Sequence, residues 1–179
     1  GGLWLFSGET ARFFTGNSAG MLYLLMFLGG ISVGLGKDVF RKVGSYRLRV
    51  LLLPAAITGA SVAAGVLCAF LTGRPLAESV CITSGMGWYS LAGILLTGLA
   101  GPEAGAVAFL ANLLREMLSF LVIPWIAAHL NHYTAIAPAG ATSEDTTLAV
   151  LISCTGEEIV VLAVVNGVLC SAAVPFLIR

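Results

Sequence analysis

The chain has 179 residues, of which 58% are apolar and 10% charged, with nine basic residues balancing nine acidic ones. Soluble domains carry about 25% charged residues, so the composition excludes an ordinary water-soluble globule. The zero net charge also argues against nucleic acid as a partner. Because a spanning helix needs about 20 apolar residues, we expect an all-α, polytopic membrane protein whose surroundings are the lipid bilayer.

Six apolar segments are predicted within one transmembrane domain that covers residues 1–179. The chain begins with Gly1-Gly2 and no Met, so we expect an upstream piece that has been removed or lies on another chain. In chain order the segments cover about 17–36, 50–73, 77–100, 102–128, 134–155 and 158–178.

The third and fifth segments are predicted to be discontinuous. The third carries the run SGMGWYSLAG in its middle, and the fifth is broken by the polar run PAGATSEDTT. Irregular backbone at membrane depth is tolerated only where it is buried in protein or lines a cavity, and transporters often place two such breaks together at the midplane. The alternative for the second run is a solvated loop, which would make the fifth and sixth segments one re-entrant hairpin.

The loop between the first two segments sets the predicted orientation. It holds five basic residues, and no other loop approaches that density, so it is predicted to be cytoplasmic. Counting six crossings then places the C-terminal Arg179 outside, together with an interfacial cluster formed by Trp125, His129, His132 and Tyr133.

The fourth segment carries Arg115 and Glu116 at its midpoint, and Asn112 lies one turn before them. A charge at the centre of a span costs several kcal/mol unless it faces protein or water. Adjacent residues on a helix do not face each other, so each charge needs its own partner. We predict a functional polar site; the alternative is a buried ion pair that serves only packing.

Further candidates lie in the two broken segments. The second break supplies Thr142, Ser143, Glu144 and Asp145, and the first supplies Trp88, Tyr89 and Ser90, which either line a cavity or pack in the core. Asn166 is predicted to hydrogen-bond across helices. No nucleophile–base pair and no metal-ligand spacing is found, so we predict no enzyme, no catalytic residue, no metal and no cofactor.

Several stretches in one colinear order resemble the LysO lysine exporter family. They are 84–96, Gly101-Pro102, 112–116, Ile123-Pro124, 140–148 and the closing 166–175. Usual members are nearly twice as long, so the chain resembles their C-terminal half. The resemblance implies a partner subunit that carries the N-terminal half, or a homo-oligomer; a shortened chain would also explain the length.

The same resemblance implies that L-lysine and toxic lysine analogues are exported from the cytoplasm across the bacterial inner membrane. It also implies the discontinuous crossing helices of the superfamily of bile-acid symporters and cation/proton antiporters. The acidic residues that matter in the family correspond to Glu116 and Asp145, whereas Glu144 departs from its pattern.

The residue types suit a lysine path. Lysine needs a cation or helix N-terminus for its carboxylate, acids for its two ammonium groups and an apolar lining for its stem. A desolvated carboxylate can also bind a proton, which predicts proton antiport with alternating access. The predicted path contains Glu116, Asp145, Arg115, Asn112, Glu144, Thr142, Ser143, Trp88, Tyr89 and Ser90.

Two alternatives stay open. One is a sodium-coupled or organic-anion carrier of the same architecture, in which Arg115 binds an anion and backbone carbonyls hold Na⁺. The other is a membrane assembly subunit that transports nothing.

Overall fold

The computed structural model describes residues 49–179, so the predicted segment at 17–36 and nearly all of the basic loop lie outside the described residues. Within this range every regular element is helical and no strand occurs, which confirms the all-α prediction for this part. The α-helices are α1 Arg49–Thr72, α2 Leu76–Thr83, α3 Tyr89–Ala100, α4 Pro102–His129, α5 Leu148–Thr155 and α6 Val160–Leu177; short 3₁₀ helices cover Thr134–Ile136, Gly140–Glu144 and Glu157–Ile159.

Helices α1, α4 and α6 are long and apolar enough to cross a membrane. They coincide to within about two residues with the predicted segments 50–73, 102–128 and 158–178. Large apolar side chains project from all three, including Phe70 at 81%, Leu121 at 73% and Phe176 at 74% exposure. Such faces are typical of helices that contact lipid or further membrane segments, because a large exposed apolar surface is unfavourable in water.

The predicted crossing at 77–100 is a re-entrant hairpin instead. Its two helices, α2 and α3, are joined by the irregular residues 84–88, and we name residues 76–100 the first hairpin. The Arg74 guanidinium just before α2 contacts Glu78 at 2.6 Å and Glu103, at the start of α4, at 2.9 Å. Because Arg74 precedes the segment and Glu103 follows it, their contact brings the two ends of the segment to the same end of the bundle.

The predicted broken segment at 134–155 also turns back. Its first 3₁₀ helix and α5 meet in one apolar cluster, where Ile136 and Leu151 pack with Ile123 from the C-terminal half of α4. We name residues 134–155 the second hairpin. Its polar run forms a tip with buried Thr142, Ser143 and Thr147, so the solvated-loop alternative is wrong for these residues.

The two hairpins open toward opposite ends of the bundle. The first opens at the end where Arg74 and Glu103 meet, and the second at the end of α4 near His129. Helix α6 begins beside the second hairpin and ends beside the first, where the carbonyl of Leu177 lies 3.7 Å from Cys81 Sγ. Residues 49–179 therefore hold three helices long and apolar enough to cross a membrane, with two opposed hairpins between them.

This topology corrects the predicted orientation in part. With a cytoplasmic basic loop, three crossings still place Arg179 outside, so that prediction stands as a prediction. The predicted external position of the cluster of Trp125, His129, His132 and Tyr133 depends on the same count, and three crossings instead of six would place the cluster on the cytoplasmic side. Hydropathy alone cannot distinguish a segment that crosses from one that turns back at its break.

Candidate functional site

The tips of the two hairpins meet inside the bundle. The Ala141 N–H donates to the Met86 carbonyl at 2.9 Å, and Met86 is fully buried with a positive φ of 48°. A Cβ on Gly140 would lie 2.5 Å from the same carbonyl, so the contact requires glycine there. Left-handed backbone at a non-glycine residue is uncommon and here occurs at the point where the two breaks touch.

Asn112 of α4 holds the first tip. Its side-chain amide donates to the Ile82 carbonyl at 2.8 Å and to its own helix at Ala108, while its oxygen accepts the Gly87 N–H at 2.9 Å. These bonds satisfy backbone groups that the interruption between α2 and α3 leaves without helical partners. Asn112, predicted on the substrate path, is therefore committed to the backbone.

Asn166 of α6 holds the second tip in the same manner. Its amide donates to the Gly140 carbonyl and to Ser143 Oγ, each at 3.0 Å. Ser143 Oγ also lies 2.7 Å from the Ala163 carbonyl of α6. The predicted hydrogen bond from Asn166 across helices is confirmed, and Ser143, predicted on the path, is fully engaged in the same network.

Arg115 lies between the two tips and α1. Its Nη1 donates to Ser61 Oγ at 2.9 Å, and its Nη2 would lie 3.0 Å from a Cβ built on Gly140. Among residues 51–179 the ion pairs are both made by Arg74, so within this range Arg115 has no carboxylate partner. The alternative of a buried ion pair that serves only packing is formed by neither Arg115 nor Glu116 within residues 51–179.

Glu116 faces the second tip. It is 7% exposed and accepts a hydrogen bond from the Thr146 hydroxyl. The same hydroxyl lies 3.3 Å from Asp145, whose carboxylate is exposed and also accepts the Thr146 N–H. Thr146 thus links the two acids of the predicted path.

Glu144 lies on the other side of the tip, against α6. One carboxylate oxygen accepts the Ser171 hydroxyl at 3.0 Å, and the second is buried with no hydrogen-bond partner among the described residues. A Cβ on Gly167 would lie 2.6 Å from the Glu144 Cβ, so α6 packs directly over this residue. A buried carboxylate oxygen with no partner is costly, which distinguishes Glu144 from the polar groups around it.

Other predicted site residues contact the protein's own core or backbone. Tyr89 packs edge-on against Phe109 of α4 with ring centroids 5.2 Å apart, which favours the core-packing alternative for this ring. Thr142 donates to the Ala139 carbonyl at 2.9 Å. Trp88 and Ser90 are half-buried at the start of α3, and in the described part of the chain neither side chain forms a hydrogen bond with the acids of the second tip.

Two cavities adjoin Arg115. The larger, of about 540 Å³, lies between α1, α2 and α4, and the smaller, of about 360 Å³, lies along α4 beside Pro138. The larger cavity falls within the range of about 300–1,000 Å³ that is typical of small-molecule sites. Within residues 49–179, no three His, Cys, Asp or Glu side chains converge on a point where a metal ion could sit.

Sequence reasoning missed three partners. Ser61, Ser171 and Arg74 are single polar residues at positions that carry no motif, and each acquires its role only through a contact with a distant segment. The signal that could have indicated Ser61 is its place one turn after Ile57 and one turn before Gly65 on the buried face of α1.

Comparison with known proteins supports the resemblance. The family model described as lysine exporter LysO matches residues 2–179. The chain is 36% identical over 157 residues to lysine exporter LysO of Escherichia coli strain K12, covering 88% of this chain and 52% of that protein. It is 33% identical over 172 residues to a putative lysine exporter of Haemophilus influenzae, covering 93% and 85%.

The chain therefore spans about half the length of the Escherichia coli relative, at 52%, and most of the Haemophilus influenzae one. No solved structure matches it. The family match covers nearly every residue, including both hairpins and α4, which carry the acids and the arginine described above. The chain belongs to the lysine exporter LysO family.

Proposed function

We propose that this chain is the C-terminal half of a transporter that exports L-lysine and toxic lysine analogues from the bacterial cytoplasm across the inner membrane. The observation that carries the proposal is the position of Arg115 and Glu116: both lie in the middle of a membrane-length helix and contact the second of two opposed hairpin tips. Irregular backbone and charged side chains together at this depth are characteristic of a transport site.

The two acids linked by Thr146 have the chemistry for the cationic groups of lysine. Glu116 is buried and Asp145 is exposed, so a cation that reaches Asp145 can be passed to a less hydrated carboxylate. We propose that a proton competes for the same carboxylates, so that lysine leaves as a proton enters. The opposed hairpins would open alternately to the two sides, as in other transporters built from inverted segments.

The length of the chain relative to the Escherichia coli protein is part of the proposal. The relative in Escherichia coli has about twice the length that the chain covers, at 52%, so we propose that an N-terminal-half subunit or a second copy completes the transport path. The opposed hairpins support an architecture of the bile-acid symporter and cation/proton antiporter kind, which likewise uses interrupted helices at the midplane.

Growth protection tests the function. The chain is expressed, with its partner half where the genome encodes one, in a strain that is sensitive to a toxic lysine analogue. Wild type should protect the cells, whereas Glu116→Gln and Asp145→Asn should not, at equal membrane abundance. Glu157→Gln is the matched control, because Glu157 is an exposed glutamate away from the tips. Protection by both site variants would contradict the proposed function.

The coupling ion is tested separately in inside-out vesicles. Uptake of labelled L-lysine should follow an imposed proton gradient and should be unchanged when Na⁺ is replaced by K⁺. Uptake that requires Na⁺ would favour the sodium-coupled alternative. Wild-type flux in variants of all three charged residues, Arg115, Glu116 and Asp145, would favour an assembly subunit.

A further inference from the structure

The larger cavity beside Arg115 has one polar end in an otherwise apolar wall. Its apolar lining consists of four alanines of α1 and α4, namely Ala56, Ala60, Ala64 and Ala111, together with Leu53, Ile57, Ile82 and Ala137. Its polar lining consists of Ser61, Thr83, Asn112 and Arg115. A cavity with apolar walls and a few convergent polar groups has the form of a small-molecule site.

Two of the four polar residues have no free donor for a ligand. The Asn112 amide is used at both its nitrogen and its oxygen, as described above. The Thr83 hydroxyl lies 3.1 Å from the Val80 carbonyl and 3.3 Å from the Ser79 carbonyl of its own helix. Neither group can therefore donate a hydrogen bond to a molecule that enters the cavity.

The other two polar residues, Arg115 and Ser61, have free hydrogen-bond donors. Arg115 makes a single side-chain hydrogen bond among the described residues, to Ser61 Oγ, and a guanidinium has five N–H donors and no acceptor. Ser61 is 5% exposed and accepts from Arg115, which leaves its own O–H free to donate. A fork of N–H groups beside a hydroxyl matches a carboxylate, which accepts bidentate hydrogen bonds from arginine.

The guanidinium is also positioned by the second tip. Its Nη2 lies where a Cβ on Gly140 would crowd it at 3.0 Å, so the absence of a side chain at Gly140 makes room for Arg115 beside the contact with Met86. The same helix presents Glu116 to Thr146. Arg115 thus presents donors for an anion toward the cavity. The next residue, Glu116, presents acceptors for a cation toward the second tip.

We infer that Arg115 and Ser61 bind the α-carboxylate of the exported amino acid in this cavity, with its alkyl stem along the alanines. The inference rests on the proposed function and deepens it, because it makes a free carboxylate the required feature of the substrate. L-lysine is accepted, and L-lysine amide and 1,5-diaminopentane, which keep the cationic groups and the stem but lack the carboxylate, are rejected. Sites built around buried polar groups discriminate strongly against ligands that leave those groups unpaired.

Competition in inside-out vesicles tests the inference with the full chain and any partner half. Unlabelled L-lysine should compete with labelled L-lysine, whereas the amide and the diamine should need a concentration at least about tenfold higher. Ser61→Ala should raise the KM for L-lysine by about tenfold, which corresponds to the loss of one hydrogen bond to a charged group. The same variant should also show a smaller difference between the competing concentrations of L-lysine and of the amide. Ser153→Ala is the matched control, since Ser153 is exposed and bonds its own helix.

Arg115→Lys is a second variant that keeps the charge but loses the planar fork. It should keep a preference for L-lysine over the amide while raising the KM. Equal competition by L-lysine and the amide in wild type, or identical KM values for Ser61→Ala and Ser153→Ala, would overturn the inference and leave lysine export intact. Vesicles that take up no L-lysine at all would contradict the proposed function, and the inference would fall with it.

Discussion

Met86 and Ala141 connect the two opposed hairpins through a 2.9 Å hydrogen bond between their backbone groups. The bond joins residues 55 positions apart in a bundle where most backbone bonds are local to one helix. Each hairpin opens to a different end of the bundle. A motion that separates the two tips would therefore break this hydrogen bond. Substitutions near Met86 and Ala141 are therefore expected to affect both the stability of the fold and the proposed transport.

Gly140→Ala should destabilise the protein. The new Cβ would lie 2.5 Å from the Met86 carbonyl at a residue with a φ of 59°, a conformation that costs about 1–3 kcal/mol for other residues. Thermal unfolding of the detergent-purified protein should show the loss. Gly98→Ala is the matched control, because that glycine has nothing within 4 Å of the added atom. Equal unfolding temperatures for the two variants would contradict the tip contact.

Asn112→Leu should lower the free energy of unfolding by about 1–3 kcal/mol, the cost of leaving buried backbone groups unsatisfied. The variant removes the partner of the Gly87 N–H and of the Ile82 carbonyl at once. Asn166→Leu should have a similar effect on the second tip. Asn131→Ala, at an exposed loop asparagine, should lose less. Thermal unfolding that ranks Asn131→Ala with the two buried variants would show that the tips do not depend on these amides.

The interruptions themselves could be predicted from the sequence, because glycine, hydroxyl and acidic residues in the middle of apolar segments do not suit a buried continuous helix. The runs SGMGW and GATSEDTT do form the tips. Asn166 was predictable for the same reason, since a lone amide in an apolar helix needs a partner. In each case the information lies within one segment.

The direction of the chain after each break could not be predicted. A segment of about 25 residues that is broken in its middle has the same hydropathy whether it crosses or turns back. The structure distinguishes the two by the contact between Arg74 and Glu103, which are 29 residues apart and lie on either side of the segment. The role of Ser61 could not be predicted for the same reason, because its partner Arg115 lies 54 residues further along the chain.

Glu144→Gln should abolish export without loss of protein. The glutamine oxygen can still accept the Ser171 hydroxyl, so the packing under Gly167 is kept while the charge is removed. The buried oxygen that has no partner within residues 49–179 would become an amide unable to bind a cation or a proton. Growth protection against a toxic lysine analogue and membrane abundance should be measured together. Ser171→Ala is the control, because it removes the hydrogen bond to Glu144 and leaves the carboxylate in place. Full protection by Glu144→Gln would show that this carboxylate has no role in transport.

The hairpin topology predicts which residues share a side of the membrane. In a background in which Cys68, Cys81, Cys154 and Cys170 are replaced by alanine, single cysteines at Arg74, Glu103 and His129 are treated in intact cells with a thiol reagent that cannot cross the membrane. Arg74 and Glu103 should be labelled together from outside, because their side chains are 2.9 Å apart and α1 leaves the cytoplasm after the basic loop.

His129 should react only after the membrane is permeabilised, because it ends α4 at the opposite side. Six uninterrupted crossings would give the reverse for Glu103 and His129, with Glu103 protected and His129 labelled in intact cells. Arg74 serves as the internal control, since both topologies place it outside. Labelling of Arg74 and Glu103 from different sides would contradict the first hairpin, whereas their joint protection would contradict the orientation and keep the hairpin.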